Sequence, residues 1–151
     1  MPMIDVTYVR GSLDDQAIGT LADELVTALL RAERAPDTPF MRDNTLVNLH
    51  ALEPGAQLVG GREAGQPRFR VDLTVFAGAL SKERKEQLAD EVHAAVCAAA
   101  NIDPVGPRAY HVWTLIHEVP EGNWAGAGKV IYYQQVQGLV SDDSPMKGAT
   151  D

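Results

Sequence analysis

The sequence has one cysteine, no stripe of basic residues and no long apolar run, and each absence closes off a class of protein. Cys97 cannot form an internal disulfide, and among the alanines of an expected helix it reads as a small buried filler rather than a reactive thiol. Lys and Arg are scattered through a chain of net charge −8, so nothing is laid out to follow a phosphate backbone, which argues against nucleic acid as a partner. The same charge offers no general attraction to an anion. An anionic substrate would need arginines focused in a pocket. No apolar stretch approaches the ~18 residues that cross a bilayer. Asp5 and Arg10 interrupt the only apolar segment near the start, so neither a membrane span nor a signal peptide is expected, and the expected location is cytoplasmic.

What is present is a duplication. Leu21-Ala22-Asp23-Glu24-Leu25 falls on Leu88-Ala89-Asp90-Glu91-Val92, 67 positions on, and the same offset carries Ile4-Asp5-Val6-Thr7 onto Val71-Asp72-Leu73-Thr74. It also carries Gly11 onto Gly78, Leu49-His50 onto Ile116-His117, and Gly55 with Gly61 onto Gly122 with Gly128. Matches in strand, helix and loop at one offset imply duplication of a unit of about 60 residues. Pro2 falls on Phe69, and this is the clear break in symmetry at the strand start: once Met1 is clipped, Pro2 carries a free secondary amine.

Each unit reads as strand, helix, strand. Met3 to Val9 alternates apolar and polar residues and is rich in β-branched types; Ser12 with Asp15 resembles a capping box; the apolar residues from Ile18 to Leu29 then recur at helical spacing, to about Ala32. Pro36 and Pro39 break the helix before a strand from about Thr45 to Leu52. In the second unit the strand is Arg68 to Phe76, Ser81 caps a helix with Leu88, Val92 and Val96 on its buried stripe, and Tyr110 to Val119 forms the fourth strand. Val130 to Val136 is expected as one more short strand, and a polar tail follows from Ser141. The 151 residues suit a single domain of two repeats, at about 2–62 and 69–136. A helical crossover implies parallel pairing within each unit, hence an α+β fold with a four-stranded sheet and two helices on one face. The bare face then calls for a second copy of the chain, an oligomer in which the segment near Tyr132-Tyr133 extends a neighbour's sheet.

Met1-Pro2 opening into a strand, Gly11 before a helix, and Ile116-His117-Glu118-Val119-Pro120-Glu121-Gly122-Asn123-Trp124 with the following Ala125-Gly126-Ala127-Gly128 resemble the tautomerase superfamily in its fused form, where two 4-oxalocrotonate tautomerase units share one chain. The resemblance covers Pro2 to about Val136. It implies trimers, no metal or organic cofactor, and an N-terminal proline that serves as base in keto-enol chemistry of small 2-oxo acids. In relatives the proline acts as acid in hydration, dehalogenation or decarboxylation of short unsaturated or 3-oxo acids. It also implies that Trp124 forms the aromatic wall of a pocket. The arginine places of the parent pattern hold Ser12, Trp113 and Leu46 here, and the end of the third strand reads Phe76-Ala77-Gly78-Ala79-Leu80. Arg10, Arg42 and Arg70 are the candidate replacements, each with an ordinary reading as a solvated surface charge. The missing arginines also motivate a reading of another class, a trimeric binding protein that has lost catalysis.

The chemistry of the proline stands apart from any resemblance. An ordinary α-amino group titrates at about 7.7 to 8.0, and partial burial disfavours its ammonium form, so Pro2 can be free base near neutrality. His50, His111 and His117 suggest a metal, but six residues of strand hold His111 and His117 ~20 Å apart, so a structural role is expected for them. Trp113 is expected in the core.

Overall fold

The computed structural model describes residues 2–141. Met1, whose removal frees the Pro2 amine, and the polar tail from residue 142 on lie outside the described residues. Strand β1 (Met3–Val9) leads into helix α1 (Asp15–Glu33), a short helix α2 (Pro39–Asp43), strand β2 (Leu46–Leu52) and a small hairpin, β3 (Leu58–Val59) with β4 (Arg62–Glu63). Strand β5 (Phe69–Phe76), helix α3 (Lys82–Ala100), a 3-10 turn (Pro107–His111), strand β6 (Val112–Val119) and a hairpin of β7 (Ala125–Gly126) with β8 (Lys129–Val130) repeat the series, and helix α4 (Tyr133–Ser141) closes it. The limits of α1, β3 and β4 moved on by 67 residues are those of α3, β7 and β8. Both long helices end on a left-handed residue, Arg34 and its counterpart Asn101.

The sheet order is β2-β1-β5-β6. β1 with β2 and β5 with β6 are parallel pairs, each joined by a helical crossover, and β1 meets β5 antiparallel with Asp5 directly opposite Asp72. The two units are thus related by an approximate two-fold axis near those aspartates. The alternation in β1 sends Ile4, Val6 and Tyr8 under the helices, where they join Val71, Leu73 and Val75 of β5 and Leu21, Leu25, Leu29, Leu88, Val92 and Val96 of α1 and α3 in one core. The buried Cys97 belongs to the same core.

Three sequence expectations need correction. Asp14, not Ser12, caps α1 by accepting from the Ala17 N–H, while the Ser12 hydroxyl donates to the Val9 carbonyl within the turn. The segment from Val130 to Val136 is not a strand: β8 stops at Val130, and α4 begins at Tyr133. Tyr133 and Val136, one helical turn apart, both pack on the core. Trp113 is 63% exposed because β6 alternation places it, with Leu115 and His117, on the sheet face away from the helices. That face also carries exposed Leu46, so within one chain it lacks an apolar cover.

Candidate active site

Two arrangements of polar side chains stand out, one on the open sheet face and one at the end of the sheet where the chain begins. On the open face, His50 Nε2 lies 2.6 Å from Asp5 Oδ1, and His117 Nε2 lies 2.7 Å from Asp72 Oδ1, a pair of pairs related by the two-fold. A nitrogen that faces a carboxylate carries the proton, so each histidine donates. Arg70 Nε donates to the other oxygen of Asp72, at 2.7 Å. Burial works to raise the Asp72 carboxyl, but the hydrogen bonds from His117 and Arg70 outweigh it and hold the group below its ordinary value. Among the described residues no group of His, Cys, Asp and Glu is arranged to hold a metal ion.

The sign of that shift gives a prediction. Asp72 contributes stability that is present above the ordinary carboxyl pKa and is lost as pH falls through its depressed native value. Asp72→Asn should therefore cost on the order of 1.5 to 3 kcal/mol at neutral pH, the scale of hydrogen bonds to a charged group. Urea melts of variant and wild type should converge as the solution is made acidic.

At the other location, register brings three chain segments together. Met3 sits opposite Thr74, so β1 begins where β5 ends, and the Pro2 carbonyl accepts from the Leu46 N–H at the start of β2. Pro2 is buried there. At this end lies a cavity of about 340 Å³ lined by Phe76 and Gly78 after β5, Glu33 and Arg34 at the end of α1, Arg84 at the start of α3, and Tyr133 of α4. Met41 of α2 also reaches it. Trp124 stacks on Phe76 with ring centroids 4.7 Å apart, and Tyr133 stacks on the same ring at 5.8 Å, so one cavity wall is backed by three aromatic rings. Glu121 holds the start of α4 in place by accepting from the Tyr133 N–H.

Arg84 joins the two units across the cavity floor, donating through one terminal nitrogen to the Ala32 carbonyl at 2.7 Å and the Ala79 carbonyl at 2.9 Å. Burial pushes the Glu33 carboxyl up from its ordinary value, against the opposing pull of Arg84. The cavity therefore combines a carboxyl that burial raises above its ordinary value, two guanidinium groups and an aromatic wall.

The two-fold repeat supplies an internal control. Sixty-seven residues after Glu33 and Arg34 stand Ala100 and Asn101; 67 before Arg84, Trp124 and Tyr133 stand Ala17, Gln57 and Gln66; Phe69 answers Pro2. The equivalent helix ends form without these groups, so the fold does not require them. Local preference opposes two of them. A carboxylate in the last turn of a helix meets the negative end of the helix dipole. Arginine at the left-handed position, here with φ 58°, is disfavoured where Gly or Asn is ordinary. Positions filled against local preference are where a functional demand is expected.

Of the residues singled out from sequence, Pro2 and Trp124 come to this end of the sheet. Arg10, Arg42 and Arg70 do not line the cavity within one chain. Arg10 is exposed at the far end of β1 and pairs with Glu53 at 2.7 Å. Arg42 grips Asp37 through two nitrogens and also reaches Asp23 and Thr27. Arg70 lies on the open face beside Asp72. Sequence reasoning missed Glu33, Arg34, Arg84 and Tyr133, although comparison of the repeats position by position marks each as charged or aromatic where its copy is not.

Residues 70–133 match the family described as tautomerase enzyme. No curated protein matches the chain. Solved structures share the fold: Pt0534 inactivated by 2-oxo-3-pentynoate, at 18% identity over 89% of this chain and 98% of that one, superposes with a TM-score of 0.71. The Q0 fused 4-OT symmetric trimer does so at 19% identity over 89% of this chain and 98% of that one, with a TM-score of 0.70. N1, a member of the cis-3-chloroacrylic acid dehalogenase family, is 22% identical over 92% of this chain and 98% of its own, with a TM-score of 0.68.

Proposed function

From a chain that carries a tautomerase-family domain over residues 70–133 and folds as a fused tautomerase-superfamily protein, we propose an enzyme that moves a proton between two atoms of a small 2-oxo acid, with the Pro2 amine as general base. The observation that carries this reading is the asymmetry of the duplicated fold. The charged groups that line the cavity, Glu33, Arg34 and Arg84, lie at the end that starts with proline, and their copies at the Phe69 end are Ala100, Asn101 and Ala17.

The chemistry follows from the groups in place. Arg34 and Arg84 supply positive charge for the substrate carboxylate in a protein whose net charge of −8 otherwise repels it. The wall of Phe76, Trp124 and Tyr133 takes the apolar part of the substrate. The pyrrolidine nitrogen, whose neutral form burial favours, removes a proton from the carbon beside the carbonyl and delivers it elsewhere on the same molecule. No step calls on a metal or organic cofactor.

The test is conversion of phenylenolpyruvate to its keto form, followed by ultraviolet absorbance. Rapid turnover by chain lacking Met1, with labelling of its N-terminus by 3-bromopropiolate in intact mass spectra, supports the reading. Turnover of 3-haloacrylates with no action on the enol would replace it with a hydrating reaction in which protonated Pro2 is the acid. Absence of both activities and of labelling would leave a binding protein.

We also propose that the working form is a homotrimer. The open face exposes Trp113 and Leu46, the hairpins expose Leu58, Val59 and Val130, and fused 4-OT structures of this fold are trimers. Light scattering should give three times the 16.3 kDa chain mass at micromolar concentration. A monomeric mass would overturn this.

A further inference from the structure

Resting on the Pro2 reading, we propose that Glu33 is a second catalytic residue, a carboxylic acid that polarises the substrate carbonyl in place of an arginine. Four observations converge on it. Glu33 lines the cavity at the Pro2 end. Burial keeps its proton on to higher pH than an ordinary carboxyl. It sits in the last turn of α1, where the helix dipole disfavours a negative charge and favours the neutral acid. Its repeat counterpart is Ala100, so a residue with no functional group serves the same helix end.

Arg34 and Arg84 line the same cavity and are placed to take the carboxylate of a 2-oxo acid, which leaves its carbonyl oxygen in need of a donor. A carboxylic acid donates one proton and, in a site sheltered from water, stabilises the oxygen as charge develops on it. In the forward step the Pro2 nitrogen takes the proton from the carbon beside the carbonyl. That C–H bond breaks, its electron pair forms the carbon-carbon double bond, and the carbonyl π pair moves onto oxygen, which takes the proton of Glu33. In the return step the Glu33 carboxylate recovers the proton from the enol oxygen as the carbonyl re-forms. For a 2-oxo acid with a β,γ double bond, the enol π pair moves to the α,β position as the carbonyl re-forms, and the β,γ π pair takes the proton of the Pro2 ammonium at the γ carbon. The enzyme ends in its starting state.

Among the described residues the charged group that acts on Glu33 is Arg84, which favours its ionised form. Burial opposes it and prevails. Activity should therefore need Pro2 unprotonated and Glu33 protonated, so kcat/KM should rise and then fall with pH.

The experiment uses full-length chain lacking Met1, with phenylpyruvate as probe and exchange of the protons beside its carbonyl for solvent deuterium followed by NMR, and compares wild type, Glu33→Gln and Glu33→Ala across pH. Glu33→Ala should lower kcat by about 10²- to 10³-fold, the effect of removing one preorganised donor. Glu33→Gln keeps an N–H donor but cannot ionise; it should recover part of the rate and lose the falling limb. Neither variant should melt below wild type at neutral pH, because each removes a group whose charged form the fold disfavours. If Glu33→Ala stays within about threefold of wild type, or Glu33→Gln keeps the falling limb, the proposal is overturned. Acylation of the Pro2 nitrogen in the same preparations separates the two readings. If acylation stops turnover while Glu33→Ala does not, Glu33 alone is excluded; if acylation has no effect, the base has been misassigned.

Discussion

Chain that keeps Met1, or whose Pro2 nitrogen is acylated after purification, is expected to fold and assemble as usual and to lose about 10²- to 10⁴-fold in enol turnover, the contribution of a well-placed general base. Retaining one residue converts a basic secondary amine into a tertiary amide with no proton affinity near neutrality. Little else in the cavity changes: Glu33, Arg34, Arg84 and the ring stack on Phe76 come from other segments. Pro2→Ala is a milder lesion. It leaves a primary amine on a chain end that lacks the ring constraint, so part of the activity should survive, whereas blocking the amine should remove it. Intact mass must establish what fraction of each preparation keeps Met1, since a small processed fraction would carry the whole rate. Equal turnover by pure Met1-retaining and pure processed chain would end the assignment of Pro2 as base.

The duplication made most of the fold legible. A constant offset of 67 residues holds for strand, helix and loop residues alike, and the observed limits of α1 and α3 obey it to the residue. Even the turn glycines agree, Gly11 with φ 88° and Gly78 with φ 84°, each in a conformation that glycine adopts without the strain of a Cβ. What misled the reading was local competition. Ser12 and Asp14 both suit a helix cap, but the Ser12 hydroxyl is taken by the Val9 carbonyl, which leaves Asp14 at the helix entrance. The apolar residues from Val130 to Val136 fit strand and helix equally over so short a run. The contact of Tyr133 with Phe76, which orients α4, is a tertiary one that sequence pattern does not contain.

The site was legible at one point and opaque elsewhere for a related reason. Pro2 is named by its place in the chain. The cavity charges instead come from helix ends, Glu33 and Arg34 at the close of α1 and Arg84 at the opening of α3, not from strand ends and turns. Arg10, Arg42 and Arg70 occupy such places and are engaged by Glu53, Asp37 and Asp72. Charge at a helix end is common enough to pass unnoticed until its sign is compared with the dipole. Glu33 then stands out as the wrong sign for its position.

Arg34 permits a prediction in which stability and function move in opposite directions. It holds a left-handed backbone conformation, with φ 58°, that costs a residue bearing a Cβ about 1 to 2 kcal/mol and costs glycine far less. Its N–H groups the helix end by donating to the Arg31 and Leu30 carbonyls, and a glycine keeps that backbone contact. Arg34→Gly should therefore raise the melting temperature or leave it unchanged. The exposed guanidinium lining the cavity is lost. KM for a 2-oxo acid should rise on the order of tenfold with kcat nearly constant, because a contact made equally to substrate and transition state affects binding alone. Arg34→Lys separates charge from shape: it keeps the charge and the left-handed strain but loses the planar fork, so its KM should fall between those of wild type and Arg34→Gly. The corresponding amide of the substrate, which lacks the carboxylate charge, should be turned over equally by wild type and Arg34→Gly. A rise in KM for acid and amide alike would mean that Arg34 shapes the cavity rather than binding the anion, and would leave the carboxylate to Arg84.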